Sequence, residues 1–301
     1  MADRVLIERV PPPFELSLAL SGHGWFDLPP HEWNGGQSPF RTVLRSGHGA
    51  IDVVLSSRPG GFEARIRSGR PLSRRGLDAV RRALRRMLRL DEDLSGFWAL
   101  CRGDRRLDWV ARRGGGRLLR SATAFEDLLK ILLTTNTSWA GTKGMAGRLV
   151  EAVGAKAPSG RRAFPAPEDC PVSESFWKRV VRAGYRSRAC VELVAAFRDG
   201  MLRDDALSDP SVAPEELRER LSALRGFGPY AIGQAMRLFG RYEDLALDSW
   251  CRAKLAERRR DGRPPSDRSI ARSFRRFAPY QGLALWCDLT SSWHEDGSRP
   301  L

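Results

Sequence analysis

The 301-residue chain is 42% hydrophobic and carries 51 Lys and Arg against 36 Asp and Glu, a formal net charge of +15. That apolar content excludes a wholly disordered chain and allows one large domain or two ordinary ones. The basic excess favours a polyanionic partner, nucleic acid ahead of an anionic membrane surface. No stretch reaches the roughly 20 apolar residues of a membrane span and no N-terminal run reads as a signal peptide. A cytoplasmic protein with no membrane partner is therefore expected.

Residues 1–90 read as an α+β unit. The runs "TVLRSG", "AIDVVLSS" and "FEARIRSG" are short, β-branched and partly alternating, and predict antiparallel strands of a small sheet. In "LSRRGLDAVRRALRRMLRL", Leu77, Val80, Leu84, Met87 and Leu88 share one face and arginines the other, an amphipathic helix able to lie across that sheet.

From residue 91 to 301 the pattern is helical, about nine helices with short loops, and predicts an all-α domain. "DEDLSGFWALCRG" has an acidic start and a glycine end. In "TAFEDLLKILLTT", Thr123 and Glu126 have capping-box spacing ahead of an apolar helix face. "SWAGTKGMAGRLVEAVG" offers Ser138 as cap and Gly154 as stop. Residues 155–171 are a connector rich in Pro and Arg, and "YRSRACVELVAAFRDG" is a further helix closed by Gly200. "GRPPSD" breaks the chain before a last helical pair.

The segment 214–240 is helix, then "LRGFGPY", then helix. Gly226 and Gly228, on either side of Phe227, permit positive φ and close approach of a phosphate to backbone. Pro229 is a favoured first-turn residue, and the free N–H groups of the helix it opens suit a phosphate oxygen. About twenty residues on, Asp248 stands in the apolar stretch "LALDSW". Asp is a preferred helix cap; a lone carboxylate in an apolar stretch is also a candidate reagent.

The five cysteines, Cys101, Cys170, Cys190, Cys251 and Cys287, are dispersed with no Cys-x-x-Cys pair. Reduced thiols are expected, and neither zinc nor an iron–sulfur cluster fits. "HEW" at 31–33 lacks the second His of a zinc protease, "HED" at 294–296 is a polar run, and no nucleotide-cofactor fingerprint is present.

"LRGFGPYAIGQA" followed by "LALDSW" resembles the helix-hairpin-helix DNA glycosylase superfamily, in which such a hairpin precedes a catalytic Asp. "FEDLLKILLTTNTSWAGTKGMAGRLVEAVG", "GYRSRACVELVAAF" and "FAPYQGLALW" are similar to other segments of the same family in the same order. "FELSLALSGHGWF" resembles the β-containing front domain of the alkylpurine and 8-oxoguanine branches. The resemblance covers about residues 15–295. It implies Asp248 as catalytic carboxylate, Gly226, Phe227, Gly228 and Pro229 as a phosphate-anchoring hairpin, and Asn136 as the residue that fills the gap left by an everted nucleotide. Trp139, Tyr230, Trp250 and Trp286 are candidate pocket aromatics, whose faces stack on a base and favour a cationic, alkylated purine.

Bifunctional members carry a hairpin lysine that attacks the sugar; the matching position here is Tyr230. The five lysines, Lys130, Lys143, Lys156, Lys178 and Lys254, all lie outside the hairpin. A monofunctional, hydrolytic glycosylase of base excision repair is therefore expected. Its partner is duplex DNA with a damaged base, an alkylated purine ahead of an oxidised one, and the protein is expected to be a monomer. No cofactor is expected, although hairpin carbonyls could hold a monovalent cation as in some relatives. Alternatives are a non-enzymatic damaged-DNA-binding protein of the same fold, and a glycosylase/lyase using a displaced Lys143 or Lys254.

Overall fold

The computed structural model describes residues 1–47 and 49–294; part of the "HED" run lies outside them. Four antiparallel strands, β1 (Ala2–Arg9), β2 (Phe40–Ser46), β3 (Gly49–Arg58) and β4 (Gly61–Ser68), form one sheet in the order β1-β4-β3-β2. The register sets Phe40 opposite Leu55, Leu55 opposite Ala64 and Ala64 opposite Leu6. These four make a buried row across the inner face. The helix Arg74–Met87 packs on this sheet through Val80, Leu84 and Met87. Its cap is Ser73, whose Oγ accepts from the Gly76 N–H at 3.1 Å.

The sequence reading carries no strand for Ala2–Arg9. There Leu6 points inward, but Val5 and Ile7 point to solvent and the next inward position, Glu8, is paired with Arg81 and Arg85 of the covering helix. A single inward aliphatic followed by a carboxylate gives no apolar period to read.

The helical part follows its caps. Thr123 Oγ1 accepts from Glu126 N–H at 3.2 Å and opens Ala124–Thr134. The return bond of a capping box is missing, because the Glu126 carboxylate instead accepts from Lys130 Nζ at 2.6 Å. Ser138 caps Trp139–Val153 in the same way, accepting from Gly141 N–H at 3.2 Å. Helices Ser187–Arg198, Pro214–Ser222, Pro229–Leu238, Ser249–Glu257, Asp267–Phe274 and Gln281–Leu289 complete the main set. A π-turn at Trp177–Val181, absent from the sequence reading, buries Trp177 fully.

Two apolar clusters organise these elements. One runs without interruption from the sheet (Leu6, Val53, Ile66) through Leu128 and Leu132 to Phe227 and Ala235 of the hairpin. The other gathers Phe97, Phe274, Phe277, Leu283 and Trp286 around the last helix. The hairpin belongs to the first cluster and Trp250 packs on the second, so a cavity at their junction is walled by both. Among the described residues, no helix is long and apolar enough to cross a membrane. The five cysteines are buried free thiols.

Candidate active site

The junction of the two clusters holds a cavity of about 780 Å³. Asp248, Asn136, Gly226, Gly228, Pro229, Trp139, Tyr230, Trp250 and Trp286 all line it, although they come from elements up to 150 residues apart in the chain. The one sequence candidate that does not is Phe227, whose side chain is turned into the core as an anchor beneath the turn.

The hairpin connects Pro214–Ser222 to Pro229–Leu238. Gly226 has φ +85°, and a Cβ there would come 2.7 Å from Leu132 Cδ1, so both backbone and space demand glycine. Gly228 does not use the positive φ that its lack of a side chain permits. It sits at φ −79°, caps the following helix, and a Cβ would meet nothing within 4 Å. The free space over Gly228, at the positive end of a ten-residue helix, is what an approaching anion requires.

Asp248 caps Ser249–Glu257: its Oδ1 accepts from the Cys251 N–H at 2.6 Å. The cap and reagent readings of this residue coincide, because the bond that ends the helix also fixes the carboxylate. The neighbouring Cys251 thiol is pushed up to about 12, by burial first and then by Asp248, so it stays neutral at physiological pH. Among the described lining residues, Asp248 is the only carboxylate and no lysine is present. Lys143 is instead paired with Asp27 at 2.8 Å, and Lys254 with Glu257 at 2.9 Å.

Asn136 stands exposed at the rim, at φ +50°, in the turn between Ala124–Thr134 and Trp139–Val153. Arg186 holds that turn in place: its Nε donates to Thr135 O at 2.9 Å. The side chain at 136 therefore projects from a fixed loop, the geometry a wedge requires.

Aromatic groups form the walls. Trp250, Trp286 and Trp293 lie with ring centroids 5.7–5.8 Å apart. Trp139 is oriented by donating its indole N–H to Asp27 Oδ2 at 2.7 Å. Tyr230 meets Thr134 Oγ1 at 3.3 Å. Its phenol is raised above its ordinary value by burial, with Asp248 adding to the rise.

Several lining residues escaped the sequence reading. His23 and Trp25 come from the front unit, Gln234 from the second turn after the hairpin, and Trp293 from the chain's last described helical turn. "SGHGWF" and "TSSW" each place an aromatic among small residues, and that clustering was the available signal. Arg237 gave none. It is 1% exposed, lies with its guanidinium 5.1 Å from the Trp286 ring centroid, and donates to Leu245 O at 2.7 Å.

No protein-family model matches the chain, and no curated protein matches it. Solved structures do. The 3-methyladenine DNA glycosylase from Archaeoglobus fulgidus superposes with a TM-score of 0.71 at 18% identity, covering 99% of this chain and 100% of that one. MBOgg1 in complex with a low-affinity DNA ligand gives 0.69 at 17%, covering 96% and 97%. The Clostridium acetobutylicum 8-oxoguanine glycosylase/lyase in its apo-form gives 0.62 at 19%, covering 89% and 93%. The chain thus has the fold of DNA glycosylases from end to end, in the arrangement shared by the 3-methyladenine and 8-oxoguanine proteins.

Proposed function

We propose, from that fold as premise, that the chain is a monofunctional DNA glycosylase that hydrolyses the N-glycosidic bond of an everted, alkylated purine. One observation carries the reading: a single carboxylate, Asp248, is fixed by its helix at the edge of an aromatic cavity whose rim is the glycine hairpin and Asn136. The base cannot be reached inside the stack, so it must swing out into such a cavity. The hairpin backbone would hold a flanking phosphate, and Asn136 would occupy the vacated space.

As the base departs, positive charge builds on the deoxyribose. A carboxylate in a water-poor site stabilises it electrostatically and orients the attacking water. Water supplies the hydroxyl at the anomeric carbon, the base leaves with the bonding pair, and an abasic site remains. A Schiff-base route needs an amine in the cavity. Tyr230 stands where it would be, and the ion pairs of Lys143 and Lys254 keep both amines occupied elsewhere.

The preference for an alkylated base rests on the cavity's titrating groups. Beyond Asp248 and the exposed Tyr185 these are Tyr230, raised above the ordinary phenol range, and His23, lowered to about 3. Neither is an acid suited to protonating a departing neutral base near pH 7. A purine alkylated at N3 or N7 is already cationic and leaves neutral, and tryptophan faces attract it while it is bound.

Incubation with duplexes that have been methylated or oxidised, followed by mass spectrometry of the released bases, tests this. Methylated purines should be released, with the strand unbroken and no covalent adduct trapped by borohydride. Absence of release from every duplex would overturn the enzyme reading in favour of a binding protein. A trapped adduct would overturn the hydrolytic route.

A further inference from the structure

We infer that His23 is a specificity-determining residue of this cavity: its Nε2–H donates to a carbonyl on the edge of the bound base and so selects purines with an oxygen at position 6, the guanine type. This rests on the glycosylase reading and extends it to a class of base.

His23 is 5% exposed and lines the cavity. Its ring lies 5.3 Å from Trp286, 29° off parallel, and 4.4 Å from Trp25, edge to face. The backbone around it is pinned. Trp286 Nε1 donates to Gly22 O at 2.8 Å, and Trp25 Nε1 donates to the buried Asp127 at 2.9 Å. A Cβ at Gly22 would stand 2.2 Å from Arg117 O, so this segment has no room to shift. The ring is held in one place by its neighbours rather than by a hydrogen bond of its own.

Nδ1 is buried with no partner, which leaves the edge bearing Nε2 as the part of the ring that meets the cavity. Nε2 is neither sealed off nor bonded to another described residue, so it is the ring nitrogen that a ligand in the cavity can meet. A buried N–H without an acceptor is rarer than an unused lone pair. The proton therefore belongs on Nε2, and Nδ1 keeps the unused lone pair. Burial, then the Arg237 charge, hold the imidazole neutral. The ring presents a donor without presenting a cation, which a positively charged base tolerates. Guanine-type bases carry an acceptor oxygen at position 6, where adenine carries an amino donor. A donor that meets the bound base at that position pairs with the first and opposes the second.

The test compares single-turnover release of 7-methylguanine and 3-methyladenine, both cationic, by the full chain and two variants. His23→Phe keeps a flat ring between the tryptophans and removes the donor; His23→Gln restores an N–H. In His23→Phe the ratio of guanine-type to adenine-type release should fall about 10-fold or more, and His23→Gln should recover most of it. A purely structural role would lower both rates together, and a ratio within about twofold of the wild type overturns the inference. Should His23→Phe fail to fold, nitrogen-15 imidazole NMR on the Asp248→Asn protein decides. The His23 Nε2–H resonance should move on addition of a 7-methylguanine duplex and stay in place with an abasic one; no movement with the lesion overturns the assignment. If the wild type releases neither base, the glycosylase reading itself fails and this inference falls with it.

Discussion

Asp248→Asn should lower single-turnover base release by about 10²–10³-fold or more, the usual loss when a preorganised electrostatic stabiliser is removed. The substitution is unusually clean here. Asp248 serves as an N-cap, accepting from Cys251 N–H, and Asn ranks with Asp as a capping residue. The helix Ser249–Glu257 should therefore keep its start, and the melting temperature should move by no more than about 2 °C. Duplex affinity should be kept too, because on the proposed reading the hairpin and Asn136 do the holding. The informative result is thus a split: catalysis lost, fold and binding kept. Release within about threefold of the wild type would leave the cavity without its reagent.

Asp127→Asn should have the largest effect on stability. Asp127 is fully buried at the start of Ala124–Thr134. Its Oδ1 accepts from Trp25 Nε1 at 2.9 Å and Ser121 N–H at 2.7 Å, and its Oδ2 accepts from Arg86 at 3.0 Å, with Arg120 4.0 Å away. One carboxylate thus ties the covering helix of the sheet, the first long helix of the helical part and a wall of the cavity. Burial alone would raise its pKa; Arg86, then Arg120 and the Ser121 and Trp25 donors, outweigh that and hold it below the ordinary value. A carboxyl depressed in the folded state contributes stability above its unfolded pKa, and that stability is lost as pH falls through the depressed value. Neutralising it as Asn leaves buried guanidinium groups without their countercharge, at a cost of about 3–5 kcal/mol. Thermal unfolding at pH 7 should drop by roughly 5–15 °C. A drop under about 2 °C would show that the cluster is not the tie described here.

How much of this was legible beforehand depended on whether a signal was local. The hairpin, the Asp248 cap and the Thr123 and Ser138 caps are set by a few adjacent residues, and the structure places each where the sequence puts it. The three strands with apolar alternation were equally readable. β1 was not, because beside Leu6 its other inward position is a glutamate whose partners come from residues 81 and 85. The cavity was half legible. Trp139, Tyr230, Trp250 and Trp286 could be named as aromatics near recognisable turns, whereas His23 belongs to it only through its place in the fold. At Gly228, where the sequence permits both positive φ and close approach to the backbone, the structure keeps φ −79° and leaves bare space above it.

The most direct measurement is a crystal structure of the Asp248→Asn protein bound to a duplex carrying an alkylated purine. The account predicts an everted base seated between Trp25, Trp139 and Trp286, with the side chain at 248 about 3–3.5 Å from the anomeric carbon or its attacking water. Backbone N–H groups at Gly228 and the start of Pro229–Leu238 should face a phosphate. A base still stacked in the duplex, or lodged elsewhere with residue 248 out of reach of the sugar, would contradict it.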